Sequence, residues 1–327
     1  MISDYTLSHH TMQDDPVPQE QIPKRKGRKK QYIAVVMILI LVIGASFAAI
    51  YYSAGGEFYT KDDRVAVIYV QGTMLSGSIP GGLGYVTSEE ISDYIQDAVE
   101  DESIRAIVLR INSPGGSPAA AEEIVAEIKK AQAEDVPIVV SMGDVAASAA
   151  YYISAPTDMI YANPSTMTGS IGVIWTFENM SGYYEEEGIE FHVAKSGEFK
   201  DMGGPWRGLS DDEKEYADTV IIEVYNRFVD EVASGRNMSR SDVKDLADGR
   251  IYTGAKAKNL GLVDDFGNMY DAIEMASELG GIDGEPTVIY MNKPTLSRLL
   301  FGSDTGSSQT IEKFVGYFED NPFGKIT

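Results

Sequence analysis

Apolar residues fall along this chain in short runs separated by small or polar ones, with one exception near the start. The exception, Tyr32 to Tyr52, has no charged residue and no polar face. As a helix rising about 1.5 Å per residue, it is long enough to cross a bilayer core of about 30 Å. Further on, Arg64–Gly72 (RVAVIYVQG), Ala106–Ile111, Pro137–Val140, Met159–Ala162, Ile171–Trp175, Glu190–Lys195 and Thr287–Met291 read as strands. Thr87-Ser88-Glu89-Glu90 has capping-box spacing and opens a helix to about Glu100. Ala119–Ala133 is helical, with Ile124, Val125 and Ile128 on one side, and Glu178–Glu187 is a further helix. Ser210-Asp211-Asp212-Glu213 is a second capping box, starting a long helix to about Ala233. Shorter helices follow at Asp242–Ala247, Gly254–Asn259 and Tyr270–Leu279. Strand–helix–strand alternation implies right-handed crossovers and a mostly parallel sheet, an α/β fold.

Two small-residue turns interrupt this pattern, each directly after an apolar strand. One is Asn112-Ser113-Pro114-Gly115-Gly116. The other lies within SMGDVAASAAYYISAP, Ser141 to Pro156, where Gly143, Ala146, Ala147, Ala149 and Ala150 surround Ser148. Tiny residues at a strand-to-helix junction let another group approach the backbone, where free N–H groups favour negative charge. A further glycine-rich loop, Gly77–Gly84, lies close enough in the pattern to be functional.

Charge and composition restrict the chemistry. The basic run Lys24–Lys30 precedes the apolar segment, which places residues 1–30 in the cytoplasm and everything after Tyr52 outside. A long polar N-terminal region and the length of the apolar run argue against a cleaved signal peptide. Residues 1–30 hold six basic and four acidic side chains, so of the chain's net −23 the remainder carries −25. That balance argues against nucleic acid as a partner. No cysteine is present, which excludes disulfides, thiol nucleophiles and cysteine-based zinc sites. Of the three histidines only His192 lies beyond the apolar segment, so a three-histidine metal site is excluded. His192, between Phe191 and Val193, reads as a sheet residue.

Ser148 is a candidate nucleophile, and a serine hydroxyl needs a base to take its proton. With histidine set aside, a neutral lysine in an apolar pocket is the alternative. Lys200, beside Phe199 and near Met202 and Trp206, fits that role, and Lys195 competes with it. Alone, Ala-Ala-Ser-Ala-Ala would read as a packing helix. The second turn changes the weighing: acyl transfer needs two backbone N–H groups aimed at the oxyanion, and Ala149 and a glycine of Gly115-Gly116 can supply them. The S-x-x-K match at Ser241–Lys244 reads as helix capping.

The co-linear motifs RINSPGGSPAAAEEI, SMGDVAASAAYYISAP, NPSTMTGSIGVI, KSGEFKDMGGPWR and DGRIYTGAKAKNLGLVD, from Arg64 to Phe266, resemble the signal peptide peptidase A family in its single-domain type. These are membrane-anchored Ser–Lys proteases of the ClpP/crotonase fold. The resemblance implies repeated β-β-α units preceded by one transmembrane helix. With the charge and apolar pattern, this divides the chain into residues 1–30 as a cytoplasmic tail, 31–53 as the anchor, 54–291 as the protease domain and 292–327 as a C-terminal tail with an apolar patch at Ile311, Phe314, Val315 and Phe318. Ser148 then matches the nucleophile and Lys200 the general base. Gly116 and Ala149 match the oxyanion donors, and Ser170 a hydroxyl that holds the lysine. No cofactor or metal is implied. The expected partners are hydrophobic peptides such as remnant signal peptides, the lipid bilayer, and further copies of the chain in an octameric ring or dome. In single-domain relatives the serine and lysine of one site come from adjacent copies. Ala149-Ala150 replaces the family's Gly-Gly, which narrows the adjoining pocket, and Gly203-Gly204-Pro205 replaces Gly-Ser-Pro. Alternatives are a protease of stomatin-like membrane proteins with the same dyad and an inactive peptide-binding scaffold; an acyl-CoA enzyme of the same fold ranks lowest.

Overall fold

The computed structural model describes residues 29–53, 63–77 and 84–293. The tip of the Gly77–Gly84 loop, most of the N-terminal tail expected in the cytoplasm and the apolar patch expected in the C-terminal tail lie outside the described residues. The chain divides into two units, residues 1–60 and 61–327.

In the first unit, α1 (Lys29–Ser53) is a helix of 25 residues. Its apolar side chains are open on every side, Ile33 at 64%, Ile38 at 60% and Leu41 at 68% exposure. Side chains of α1 are described for residues 32–47 and 49, and among the described residues no helix is long and apolar enough to cross a membrane.

The second unit begins with β1 (Arg64–Gln71), β2 (Thr73–Leu75) and β3 (Tyr85–Thr87), then α2 (Ser88–Glu100) and β4 (Ile104–Ser113). Next come α3 (Pro118–Ala133), β5 (Ile138–Ala147), α4 (Ala149–Ser154), β6 (Met159–Ala162), β7 (Met167–Gly169) and α5 (Ser181–Glu186). The long α6 (Asp211–Gly235) is followed by α7 (Arg240–Leu246), β8 (Ile251–Thr253), α8 (Gly254–Asn259), β9 (Asp265–Phe266), α9 (Met269–Leu279) and β10 (Thr287–Tyr290). The main sheet runs β10-β1-β4-β5-β6-β9, with every neighbouring pair parallel. β7 branches from β5 and pairs antiparallel with β8.

A parallel sheet is covered on both faces, which is why its strands are nearly continuous apolar runs. Along β1 the side chains alternate. Ala66, Ile68 and Val70 face a core with Ile91, Ile95, Ile124 and Ile128 of α2 and α3. Val65 and Val67 face a second core with Ala272, Ile273 and Ala276 of α9. The capping box expected at Ser210 is present, its hydroxyl accepting from the Glu213 N–H while the Glu213 carboxylate accepts from the Ser210 N–H.

Two expected strands are corrected. Ile171–Trp175 and Glu190–Lys195 are irregular, with Ile174 at 90% exposure, because among the described residues no neighbouring strand offers their backbone a partner. His192 accordingly stands in solvent at 92% exposure beside Glu190, not within a sheet. The expected helix at Glu178–Glu187 is the shorter α5.

Candidate active site

β5 carries the site. Its first half pairs with β6, from Val139↔Met159 to Ser141↔Tyr161, and its second half with β7, from Val145↔Met167 to Ala147↔Gly169. The change of partner falls at Gly143-Asp144. Hydroxyls secure it: Thr166 donates to the Gly143 carbonyl at 2.7 Å and Thr168 to the Ala146 carbonyl at 2.7 Å. Asn112 Oδ1 accepts from the Val145 N–H at 3.1 Å, beside the register shift between Ile111 and Ser113.

At the end of β5, Ser148 has φ 55° and ψ −124°, a conformation seldom adopted by residues with a side chain. Such a backbone costs about 1–3 kcal/mol and persists only where neighbours hold it. Here the Ser148 N–H donates to the Gly169 carbonyl at 2.9 Å, and the Ser148 carbonyl accepts from Tyr151 and Tyr152 N–H groups at 2.9 Å each. The half-buried hydroxyl therefore stands on a sharp strand-to-helix turn.

The second turn packs directly against the first. Ser113 Oγ accepts from the Gly115 N–H at 3.1 Å. Gly115 has φ 101°, and a Cβ there would lie 2.8 Å from Ser148 Cβ and 2.8 Å from the Ala149 nitrogen. Gly116 forms a parallel bridge with Met74. The flanking groups make its hydrogen bonds: Met74 N–H donates to Gly115 O and Ser117 N–H donates to Met74 O, both at 2.9 Å. The N–H of Gly116 itself is thus turned away from Met74. A Cβ on Gly116 would lie 2.1 Å from the Met74 carbonyl oxygen, so only glycine fits. Ala149 opens α4, and the first N–H of a helix has no partner within it.

Gly116, Ser148 and Ala149 line one narrow cleft with Pro118, Tyr152 and Phe228. It encloses about 20 Å³, room for about one water. Tyr152 packs edge-on against Phe228, with ring centroids 5.1 Å apart. Burial, with Glu231 and Glu122 adding to it, pushes the Tyr152 hydroxyl up to about 12, so it stays a neutral donor. Glu122, Tyr152, Val224 and Phe228 were not singled out from sequence. The signal available was the i,i+4 spacing of Val224 and Phe228 on α6.

Ser170 follows β7 at φ 50°, next to the glycine that bonds Ser148, and its N–H donates to the Arg250 carbonyl at 2.9 Å. The two candidate lysines differ sharply. Lys195 Nζ is engaged, donating to Asp201 Oδ1 at 2.7 Å and to the Glu198 carbonyl at 2.8 Å. Lys200 lies in a 3-10 turn, Glu198–Asp201, with an exposed side chain that has no hydrogen-bond or ion-pair partner among the described residues. It does not line the cleft. The apolar surroundings expected of Phe199 and Trp206 go elsewhere: Phe199 meets Tyr216 at 5.4 Å and Trp206 stacks on Phe191 at 5.4 Å. Within one chain, then, Ser148, Gly116 and Ala149 come together, Ser170 lies beside them, and Lys200 stays outside.

A serine on a strained turn between two backbone-donor loops, at the end of a parallel α/β sheet, is a site shaped for acyl transfer. Residues 130–283 match the model of Peptidase family S49. A Synechocystis protein provisionally named protease slr0021 is 36% identical over 242 residues, 73% of this chain and 83% of that relative. A Methanocaldococcus jannaschii protein, provisionally named protease MJ0651, is 33% identical over 80% of this chain and 86% of its own length. An Enterococcus faecium protein, provisionally named signal peptide peptidase SppA, is 40% identical over 196 residues, and there the chain spans 57% of the relative. The chain belongs to peptidase family S49.

Proposed function

We propose that the protein is a membrane-anchored serine endopeptidase that hydrolyses short apolar peptides, remnant signal peptides among them. Ser148 Oγ attacks the peptide carbonyl carbon while the Lys200 amine takes the hydroxyl proton. The Gly116 and Ala149 N–H groups hold the oxyanion, the C–N bond breaks, and Lys200 returns the proton to the leaving amine. Water then attacks the acyl ester by the same route and frees Ser148. The observation that carries this reading is the Ser148 turn, with its hydroxyl in one cleft with Gly116 and Ala149.

Because Lys200 is exposed and outside the cleft of its own chain, we assign it to the site of an adjacent copy in a ring, with Ser170 beside Ser148 orienting the incoming amine. Exposed apolar side chains on the segment bearing Lys200, Trp175 at 49%, Phe191 at 44% and Phe199 at 43%, favour such an assembly. The fold reading is the repeated β-β-α type of the ClpP/crotonase proteins. The anchor reading rests on the sequence, the uncharged run Gln31–Ser53 behind the basic run Lys24–Lys30, which puts the catalytic unit outside the cytoplasm.

The test is turnover of a synthetic apolar signal peptide by the full chain in detergent, with the assembly checked by light scattering. Wild type should cleave it, while Ser148→Ala and Lys200→Met should be inactive. Undiminished cleavage by either variant contradicts the assignment. An inactive peptide-binding scaffold is the second reading, favoured by the distance of Lys200 from its own cleft; it predicts binding without turnover in wild type.

A further inference from the structure

The 3-10 turn bearing Lys200 is fastened at both ends, and the fastening centres on Arg207. Arg207 Nε and Nη2 donate to Asp201 at 3.2 and 2.7 Å, while Nη1 and Nη2 donate to Glu213 at 2.7 and 2.6 Å. Glu213 is buried and also accepts from the Ser210 N–H at 2.9 Å, at the start of α6. Lys195 completes the array, bonding the carbonyl of Glu198 and the carboxylate of Asp201, the first and last residues of the turn. Two carboxylates and two cations thus cancel, and Lys200 is left as the unpaired charge among them.

Asp201 is adjacent to Lys200 in the chain. A free carboxylate there would lie within reach of the flexible lysine stem and would hold the amine as an ammonium ion, useless as a base. Of the other carboxylates around the turn, only Asp211 has a side-chain partner among the described residues. On the turn itself stands Glu198, and on α6 stand Asp212 and Asp211, the last paired with Lys214 at 2.9 Å. We propose that Arg207 is a positioning residue for Lys200: it occupies the Asp201 carboxylate and ties the lysine-bearing turn to the start of α6. This rests on the reading of Lys200 as general base. It also gives Lys195 a structural place in the same array, separating the two lysines by role.

The experiment is the pH profile of kcat/KM for an apolar peptide, using the full-length assembly. Because the base must be neutral, activity rises with pH through its titration. Arg207→Met leaves Asp201 with Lys195 as its only cation and opens its second oxygen to the Lys200 ammonium, so the acid limb should move up by about one pH unit. Turnover at neutral pH should fall about tenfold with it. Arg207→Met combined with Asp201→Asn removes that carboxylate and should return the limb towards its wild-type position. An acid limb that stays in place in Arg207→Met, whatever the loss of kcat, would reduce Arg207 to a structural brace and overturn the proposal. So would a shifted limb that Asp201→Asn leaves shifted. If Arg207→Met fails to assemble, Lys195→Met, which removes the other cation on Asp201, should move the limb the same way by less; no movement overturns the idea. Wild type with no turnover at any pH and no covalent labelling of Ser148 would overturn the peptidase reading together with this one.

Discussion

Gly115 lies against Ser148 so closely that a Cβ on the glycine would stand 2.8 Å from the Cβ of the serine. That contact fixes the two turns relative to each other and sets where the Gly116 and Ala149 N–H groups sit around the hydroxyl. Gly115→Ala should therefore push the turns apart with little loss of cooperative unfolding. A misplacement of about 1 Å at a reacting centre costs on the order of 100-fold. We expect kcat/KM to fall by at least about that factor, and a variant with wild-type turnover would contradict the account.

The separation of Lys200 from its own cleft leads to a complementation experiment. Ser148→Ala keeps a working lysine and Lys200→Met keeps a working serine, and each alone should be inactive. Co-expressed in one ring with random placement, they should restore about one quarter of the wild-type sites. An inactive mixed assembly would place the dyad within a single copy.

Much of this architecture was legible from local signals. The Ser210/Glu213 capping box, the apolar runs of β1 and β4, and the spacing of Ile124, Val125 and Ile128 each depend on neighbours a few residues away. What was missed depends on distant partners. β5 reads as ending at Val140, because Ser141 breaks the apolar run and Gly143 and Asp144 follow. It continues to Ala147 because β7 arrives with Thr166 and Thr168 to bond its carbonyls. Ile171–Trp175 has strand-forming residues but, among the described residues, no strand to pair with. In the site, Ser148 and Gly116 were legible as small-residue turns after strands. Gly115 was legible as part of the same turn, but its closeness to Ser148, which exists only once β4 and β5 are paired, was not.

The Arg207 array makes stability depend on acid. Its hydrogen bonds from Arg207, with the Ser210 N–H second, push the Glu213 carboxyl from 4.5 down to about 2. Arg207, then Lys195, holds Asp201 well below the usual carboxylate range. A lowered carboxyl contributes stability that is fully present above its unfolded-state pKa, about 4.3 for Glu, and is lost as pH falls through the folded value. The unfolding midpoint of wild type should drop between about pH 4.5 and pH 2. Glu213→Gln should start lower at neutral pH and show a flatter slope across that window by circular dichroism. Parallel curves would show that the array does not couple to folding.

The central claim is that Ser148 becomes acylated. Incubating the full-length assembly with a fluorophosphonate and mapping the adduct by peptide mass spectrometry tests it most directly. The account predicts one adduct, on Ser148, absent in Ser148→Ala and strongly slowed in Lys200→Met. An adduct on another residue, or equal labelling of Ser148→Ala, would contradict it.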